Sequence, residues 1–235
     1  AGILEMTAYR IICTLTKLLL WTQMRLRVAG AERVPSSGPM LLVSNHLGPA
    51  DHFIIGVRLR RQMRILAKIE IFHWPIVGWI AHRAGAVPIR RGESDRDALR
   101  IAVRLLEAGE CMLVFPEGTY AHAPEPVGML PVKTGAAWLA LRSDALVVPV
   151  AISGSESVWM TKRGWRLGKR PRVVLTYGEP YRPTVPHGGS RRAALDAVAD
   201  EMARHIAALL PAAYRGAYAD APVERPVRHE ISAVN

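Results

Sequence analysis

Apolar residues recur along the chain in short blocks whose spacing switches between helix-like and strand-like, and that switching predicts an alternating architecture. The first block, residues 11–21 (IICTLTKLLLW), is broken by Lys17 and flanked by Arg10, Arg25 and Arg27. It falls short of the ~20 apolar residues a spanning helix needs, so it predicts a docked or interfacial helix. That helix sits within an N-terminal segment 1–29. After a turn-forming stretch at 35–39, residues 40–44 (MLLVS) read as a buried strand that delivers Asn45 and His46 at its C-terminal end. A helix over 51–60, a strand over 63–67, a helix over 74–83 and a strand over 86–90 follow.

Residues 94–108 carry the best-marked helix: Ser94 and Asp97 form a capping box, Leu99, Val103 and Leu106 share one face, and Gly109 stops it. Beyond it the pattern predicts a strand at 111–115 ending at Pro116, a helix at 134–142, and strands at 146–152 and 173–177. A terminal helix over 190–210 places Leu195, Val198, Met202, Ile206 and Leu209 at helical spacing. Residues 211–235 lack periodicity and read as a loose tail. Strands alternating with helices predict one α/β domain over 30–210, with a largely parallel mixed sheet flanked by helices. Such sheets carry ligands at the C-terminal ends of their strands.

Composition narrows the partners. Lys and Arg total 31 against 20 Asp and Glu, a formal charge of +11, which favours anionic partners such as acidic lipid headgroups, phosphorylated cofactors or nucleic acid. Nucleic-acid proteins gather positive charge into a stripe interleaved with aromatics, and this chain spreads it thinly, so no nucleic acid is expected. The two cysteines, Cys13 and Cys111, sit far apart in apolar surroundings, which points away from a disulfide framework or a zinc site. No secretory leader pattern opens the sequence, so the cytoplasmic side is the expected location.

The chemistry centres on the junction after the 40–44 strand. His46 and Asp51 form an H-x-x-x-x-D pair where a strand passes into a helix. An imidazole makes a competent general base near pH 7 when a carboxylate holds one ring nitrogen, fixes the tautomer and stabilises the imidazolium. A nucleophile is harder to find: Gly154-Ser155-Glu156-Ser157-Val158 lacks the final glycine of a G-x-S-x-G elbow, and Cys111 lies inside an apolar strand. His52, His73 and His82 have no dense metal-ligand spacing, so no metal is expected. Backbone N–H groups near the start of the Asp51 helix are the candidates for stabilising an oxyanion.

Read together, Asn45-His46 with Asp51, then Gly85 to Arg91 (GAVPIRR), Phe115 to Thr119 (FPEGT) and Val148-Pro149-Val150 resemble, in order and spacing, the four sequence blocks of the glycerolipid acyltransferase family. Its best-known members acylate lysophosphatidic acid. Lys68-Ile69-Glu70-Ile71, Lys133-Thr134-Gly135 and Gly178-Glu179-Pro180 look like further family positions. The resemblance spans about 30–210. It implies a peripheral or monotopic enzyme on an anionic membrane surface. Such an enzyme moves an acyl chain from a coenzyme A or acyl carrier protein thioester to a lysolipid hydroxyl, with no bound cofactor. His46 would be the base and Asp51 its orienter. Lys68 and Arg91 would contact the acceptor phosphate, and Asn45, Glu117, Gly118 and Thr119 would line the acceptor site. A thioester already carries a good leaving group, so direct attack by a deprotonated hydroxyl suffices.

One position departs from the family. Its third block normally ends in arginine, and here Tyr120 stands there. A phenol offers one neutral hydrogen bond where arginine grips phosphate bidentately. The departure opens other acceptors: a lysophospholipid diester, a glycolipid or an aminolipid. Two rivals remain on sequence alone, a thioesterase that uses water and a non-catalytic basic protein that binds membrane or nucleic acid.

Overall fold

A computed structural model of the chain describes residues 3–89, 95–120, 128–158, 170–185, 188–222 and 232–233. Helix α1 (Ile3–Gln23) leads into strand β1 (Arg25–Ala29), then β2 (Met40–Ser44), α2 (Asp51–Gly56), β3 (Met63–Lys68), α3 (Pro75–Arg83) and β4 (Ala86–Ile89). The second half runs α4 (Asp95–Glu107), β5 (Cys111–Val114), α5 (Gly135–Ser143), β6 (Leu146–Ser153), β7 (Arg172–Tyr177), α6 (Arg191–Leu209) and β8 (Ser232–Ala233). The strands form one sheet in the order β4-β3-β5-β2-β6-β7-β1-β8. The five from β4 to β6 are mutually parallel, β7 turns antiparallel to β6, and β1 runs parallel to β7.

β2 occupies the middle and is buried along its whole length. Successive side chains point to opposite faces. Leu41 and Val43 therefore join α4, α5 and α6 in a core with Leu106, Leu139 and Met202, while Met40 and Leu42 face α1 and α2 with Leu20, Met24, Ile54 and Ile55. Burial on both faces explains why the strand reads as an unbroken apolar run.

Most boundaries fall within two residues of the sequence expectation. The capping residue Ser94, with Arg90 and Arg91, lies outside the described residues, while Gly109 adopts φ +81° and ends α4 as expected. α2 is shorter than expected: Arg58 N–H donates to Ile55 at 3.3 Å and Leu59 N–H to Gly56 at 3.2 Å, so the last turns tighten to i→i+3 and the helix stops.

Three segments differ in kind. Residues 25–29, expected in the helical N-terminal segment, form β1, whose alternating Arg-Leu-Arg-Val pairs with β7. Ser232–Ala233, expected in a loose tail, pairs antiparallel with β1. Residues 211–222 are also packed: Tyr218 and Arg215 are buried, and the Arg215 guanidinium donates to Leu210 O at 3.1 Å and Ala221 O at 2.6 Å. This segment clasps the chain at Met129 through Met129 N–H to Tyr214 O and Ala217 N–H to Met129 O, both 3.0 Å. Gly216 makes the clasp possible, because a Cβ there would stand 2.2 Å from Met129 O.

Candidate active site

Register builds the site. Val43 of β2 lies opposite Val114 of β5, and three residues further along each chain segment stand His46 and Glu117. The Glu117 side chain consequently reaches its neighbour's backbone: its Oε1 accepts from His46 N–H at 2.8 Å, and its Oε2 from Leu130 N–H at 2.6 Å. On the other side of β2, Ser44 pairs with Val150 of β6. The Asn45 amide prolongs that ladder, donating to Ile152 O and accepting from Ile152 N–H, both at 2.9 Å. Asn45 and Glu117 thus spend their polar atoms on backbone and brace the loop that carries His46.

His46 Nδ1 stands 2.8 Å from Asp51 Oδ2. The same oxygen accepts from Leu47 N–H at 2.7 Å and Gly48 N–H at 2.9 Å. A carboxylate is acceptor-only, so the contact places the ring proton on Nδ1 and leaves the Nε2 lone pair as the base. Asp51 is fully buried, while 15% of the His46 side chain stays exposed. Phe115 stacks on the imidazole with centroids 3.9 Å apart and planes 11° apart, and Tyr120 meets it edge-on at 4.8 Å. Three of the backbone donors near the start of the Asp51 helix are already used: Leu47 and Gly48 N–H bind Asp51, and Asp51 N–H bonds Gly48 O at 3.1 Å.

Gly118 and Thr119 follow in an exposed turn closed by Gly118 N–H to Phe115 O at 3.0 Å. Gly118 has φ +72°, and a Cβ there would stand 3.0 Å from Lys133 Nζ. Lys133 therefore brings an ammonium to the turn that ends in Tyr120. Sequence reasoning did not place it there, because only the close approach to a side-chain-free residue does so. Lys68 ends β3, two strands from β2, and its side chain and the whole of Arg91 lie outside the described residues. Ser155 is completely buried, which closes the alternative nucleophile to substrate.

Next to Asp51, His52 borders an apolar cavity of about 410 Å³ where α1 and α3 meet α2 and β3. Ile12, Phe53, Ile65, Val77 and Ile80 line it. Two titrations are displaced by burial. Glu117 is pushed up to about 7, with its Leu130 and His46 hydrogen bonds working against the shift. His52 is pushed down to about 4, with the Asp51 charge opposing. A histidine held neutral supports the fold above its ordinary value of 6.5 and loses that support as pH falls towards 4. Denaturant titrations of wild type should thus show about 3 kcal/mol of stability lost across that window, and His52→Leu should flatten the loss.

A family model described as Acyltransferase matches residues 25–153. The chain belongs to the acyltransferase family. Among relatives of this family, the 1-acyl-sn-glycerol-3-phosphate acyltransferase of Bacillus subtilis (strain 168) is 28% identical over 173 residues, covering 73% of this chain and 81% of its own. The lyso-ornithine lipid O-acyltransferase of Pseudomonas aeruginosa is 35% identical over 144 residues, covering 58% of this chain and 54% of that protein. The chloroplastic 1-acyl-sn-glycerol-3-phosphate acyltransferase of Arabidopsis thaliana is 32% identical over 140 residues, and the chain spans 38% of its length. Among solved structures, the 1-acyl-sn-glycerophosphate (LPA) acyltransferase PlsC from Thermotoga maritima superposes with a TM-score of 0.61 at 25% identity, covering 82% of this chain and 75% of that one. The matched family region contains His46, Asp51 and Glu117 and ends at Ser153, the last residue of β6.

Proposed function

We propose that this chain transfers a fatty acyl group from a coenzyme A or acyl carrier protein thioester to the hydroxyl of a lysolipid, working on the cytoplasmic surface of a membrane. The observation that carries the reading is the braced dyad: an imidazole with Nδ1 on a buried carboxylate at 2.8 Å, stacked on Phe115 and beside an apolar cavity. His46 Nε2 takes the proton from the acceptor hydroxyl as its oxygen attacks the thioester carbonyl. The thiolate of the donor leaves as the carbonyl re-forms and takes that proton from the imidazolium, which returns His46 to its neutral form. Asp51 stabilises the imidazolium that forms, and the cavity takes the hydrocarbon chain.

The apolar outer surface supports a membrane site. Ile11, Leu15, Leu18, Leu19 and Trp21 of α1 are exposed, as are Ile76 and Trp79 of α3, and the two helices pack together over the cavity. Among the described residues no helix is long and apolar enough to cross a membrane. An exposed apolar face with a tryptophan and flanking basic residues suits the headgroup boundary, in a peripheral or monotopic arrangement.

The mouth of the site bears on the acceptor class, since Tyr120 takes the place of the family arginine there and Lys133 supplies the nearby cation. Lysophosphatidic acid, a lysophospholipid diester, a glycolipid and an aminolipid are the acceptors to compare. The test is acceptor-dependent thiol release from palmitoyl-coenzyme A and from palmitoyl-carrier protein, with mass detection of the product. Lys133→Met is expected to lower kcat/KM about tenfold for acceptors bearing phosphate and to spare neutral ones. Tyr120→Arg is expected to shift the preference towards lysophosphatidic acid. Release that is equal with and without any lysolipid would make water the acceptor, and no release from either donor would overturn the reading.

A further inference from the structure

A second groove, of about 280 Å³, lies where α1 crosses the end of α2 and the start of β1, apart from the residues lining the cavity at His52 except for the shared wall residue Val57. Leu18, Met24, Leu26 and Val57 give it an apolar floor, and Lys17 and Arg58 stand at it as cations. The helix explains the placement. Arg10, Thr14, Lys17 and Trp21 follow one another at spacings of four, three and four, so they form one exposed stripe along α1. That stripe borders the exposed apolar row Ile11, Leu15 and Leu18. At its lower end Arg170 covers the Trp21 ring at 5.0 Å and donates to Met24 O at 2.9 Å, which fixes the indole and satisfies the end of the helix.

Among the described residues no carboxylate answers either cation of the groove, and Arg58 Nε is buried without a hydrogen-bond partner. A partly desolvated guanidinium gains most from an anion that can accept its N–H groups. An apolar floor beneath an exposed ammonium and a half-buried guanidinium, at the edge of a membrane-facing row, matches one ligand shape: a phosphate with a hydrocarbon chain attached.

We propose that this groove is a headgroup site for an anionic membrane phospholipid, its phosphate held by Lys17 and Arg58 and its proximal acyl chain lying on Leu18, Leu26 and Val57. The inference rests on the reading that the α1 and α3 face meets the membrane. The lipid is a tether and not a substrate, since the groove lies on the far side of Val57 from the cavity beside the dyad. It registers α1 on the surface and so sets how the cavity opens towards lipid.

Co-sedimentation with phosphatidylcholine vesicles, and with vesicles of phosphatidylcholine and phosphatidylglycerol, tests it on the full chain. Lys17→Gln and Arg58→Gln are each expected to lower the preference for anionic vesicles about tenfold, as the loss of a charge-assisted hydrogen bond does. Arg10→Gln removes the same charge from the same stripe outside the groove, and is expected to cost no more than about fivefold. Equal effects of all three variants would overturn the site and leave the membrane reading standing. So would a wild type indifferent to phosphatidylglycerol. Leu15→Asp reads the apolar face separately: unchanged binding to neutral vesicles would overturn the membrane face, and the headgroup site with it. Lys17 is exposed, so its variant folds and decides the outcome if Arg58→Gln does not.

Discussion

His46→Ala is expected to reduce acyl transfer by about 10²- to 10⁴-fold, the usual contribution of a positioned general base, while leaving folding almost untouched. The side chain is stacked on Phe115 and partly exposed, so its loss opens space at the site's mouth and not in the core. Asp51 separates two effects that His46 cannot. One carboxylate oxygen serves the imidazole and the N–H groups of Leu47 and Gly48. Asp51→Asn keeps an acceptor for all three and loses the charge that stabilises the imidazolium. It should therefore lower kcat by about 10²-fold or more and hold its melting temperature. Asp51→Ala leaves two buried N–H groups without partners and should lose both activity and about 2 kcal/mol or more of stability. Thiol-release kinetics and thermal melts on the three variants check this, and an Asp51→Asn enzyme with wild-type turnover would remove the dyad from the mechanism.

Glu117 carries the second large effect. Both its oxygens accept backbone N–H groups, one from His46 itself and one from Leu130, and it is 2% exposed. Glu117→Gln sets an amide N–H₂ against one of those donors. A loss of about 2 kcal/mol in stability and about 10²-fold in kcat is expected, with KM for the acceptor little changed, the split that a brace on the His46 backbone produces. An effect confined to KM would return Glu117 to the acceptor site. The pH dependence gives a second signature. Burial raises this carboxyl from its ordinary 4.5 to about 7, so the folded state holds the proton more tightly than the unfolded chain. The stabilisation is complete below 4.5 and is lost as pH rises through about 7, amounting to about 3 kcal/mol, and Glu117→Gln should abolish it. Wild type is thus expected to lose support on both sides of its midrange, at the acid side through His52 and towards neutrality through Glu117.

The contact between Glu117 and the His46 backbone was not readable in advance. In the sequence Glu117 lies 71 residues from His46, inside a block whose resemblance implied contact with the acceptor. Only the pairing of Val43 with Val114 brings the two strand ends level. Lys133 was likewise legible only as part of a family-like Lys-Thr-Gly stretch, and its approach to the Tyr120 turn came from Gly118, whose missing side chain leaves room for the ammonium.

The local sequence determined a good deal. The period of apolar positions placed α4, α5, α6 and the strands β2, β3, β5, β6 and β7 close to their observed bounds, because each is an element of one period long enough to be read within its own window. The four ordered blocks marked His46 and Asp51, five residues apart across one turn, so that their contact is a local matter. The tertiary structure decided what depends on partners distant in the chain. β1 and β8 are short strands whose hydrogen bonds come from β7 and from each other. Residues 211–222 look like a tail until they clasp Met129. The cavity beside His52 and the groove at Lys17 are spaces between helices that no single helix encodes. A period is a property of one segment and survives in the sequence, whereas register, close approach and empty volume arise only when segments far apart in the chain are packed against one another.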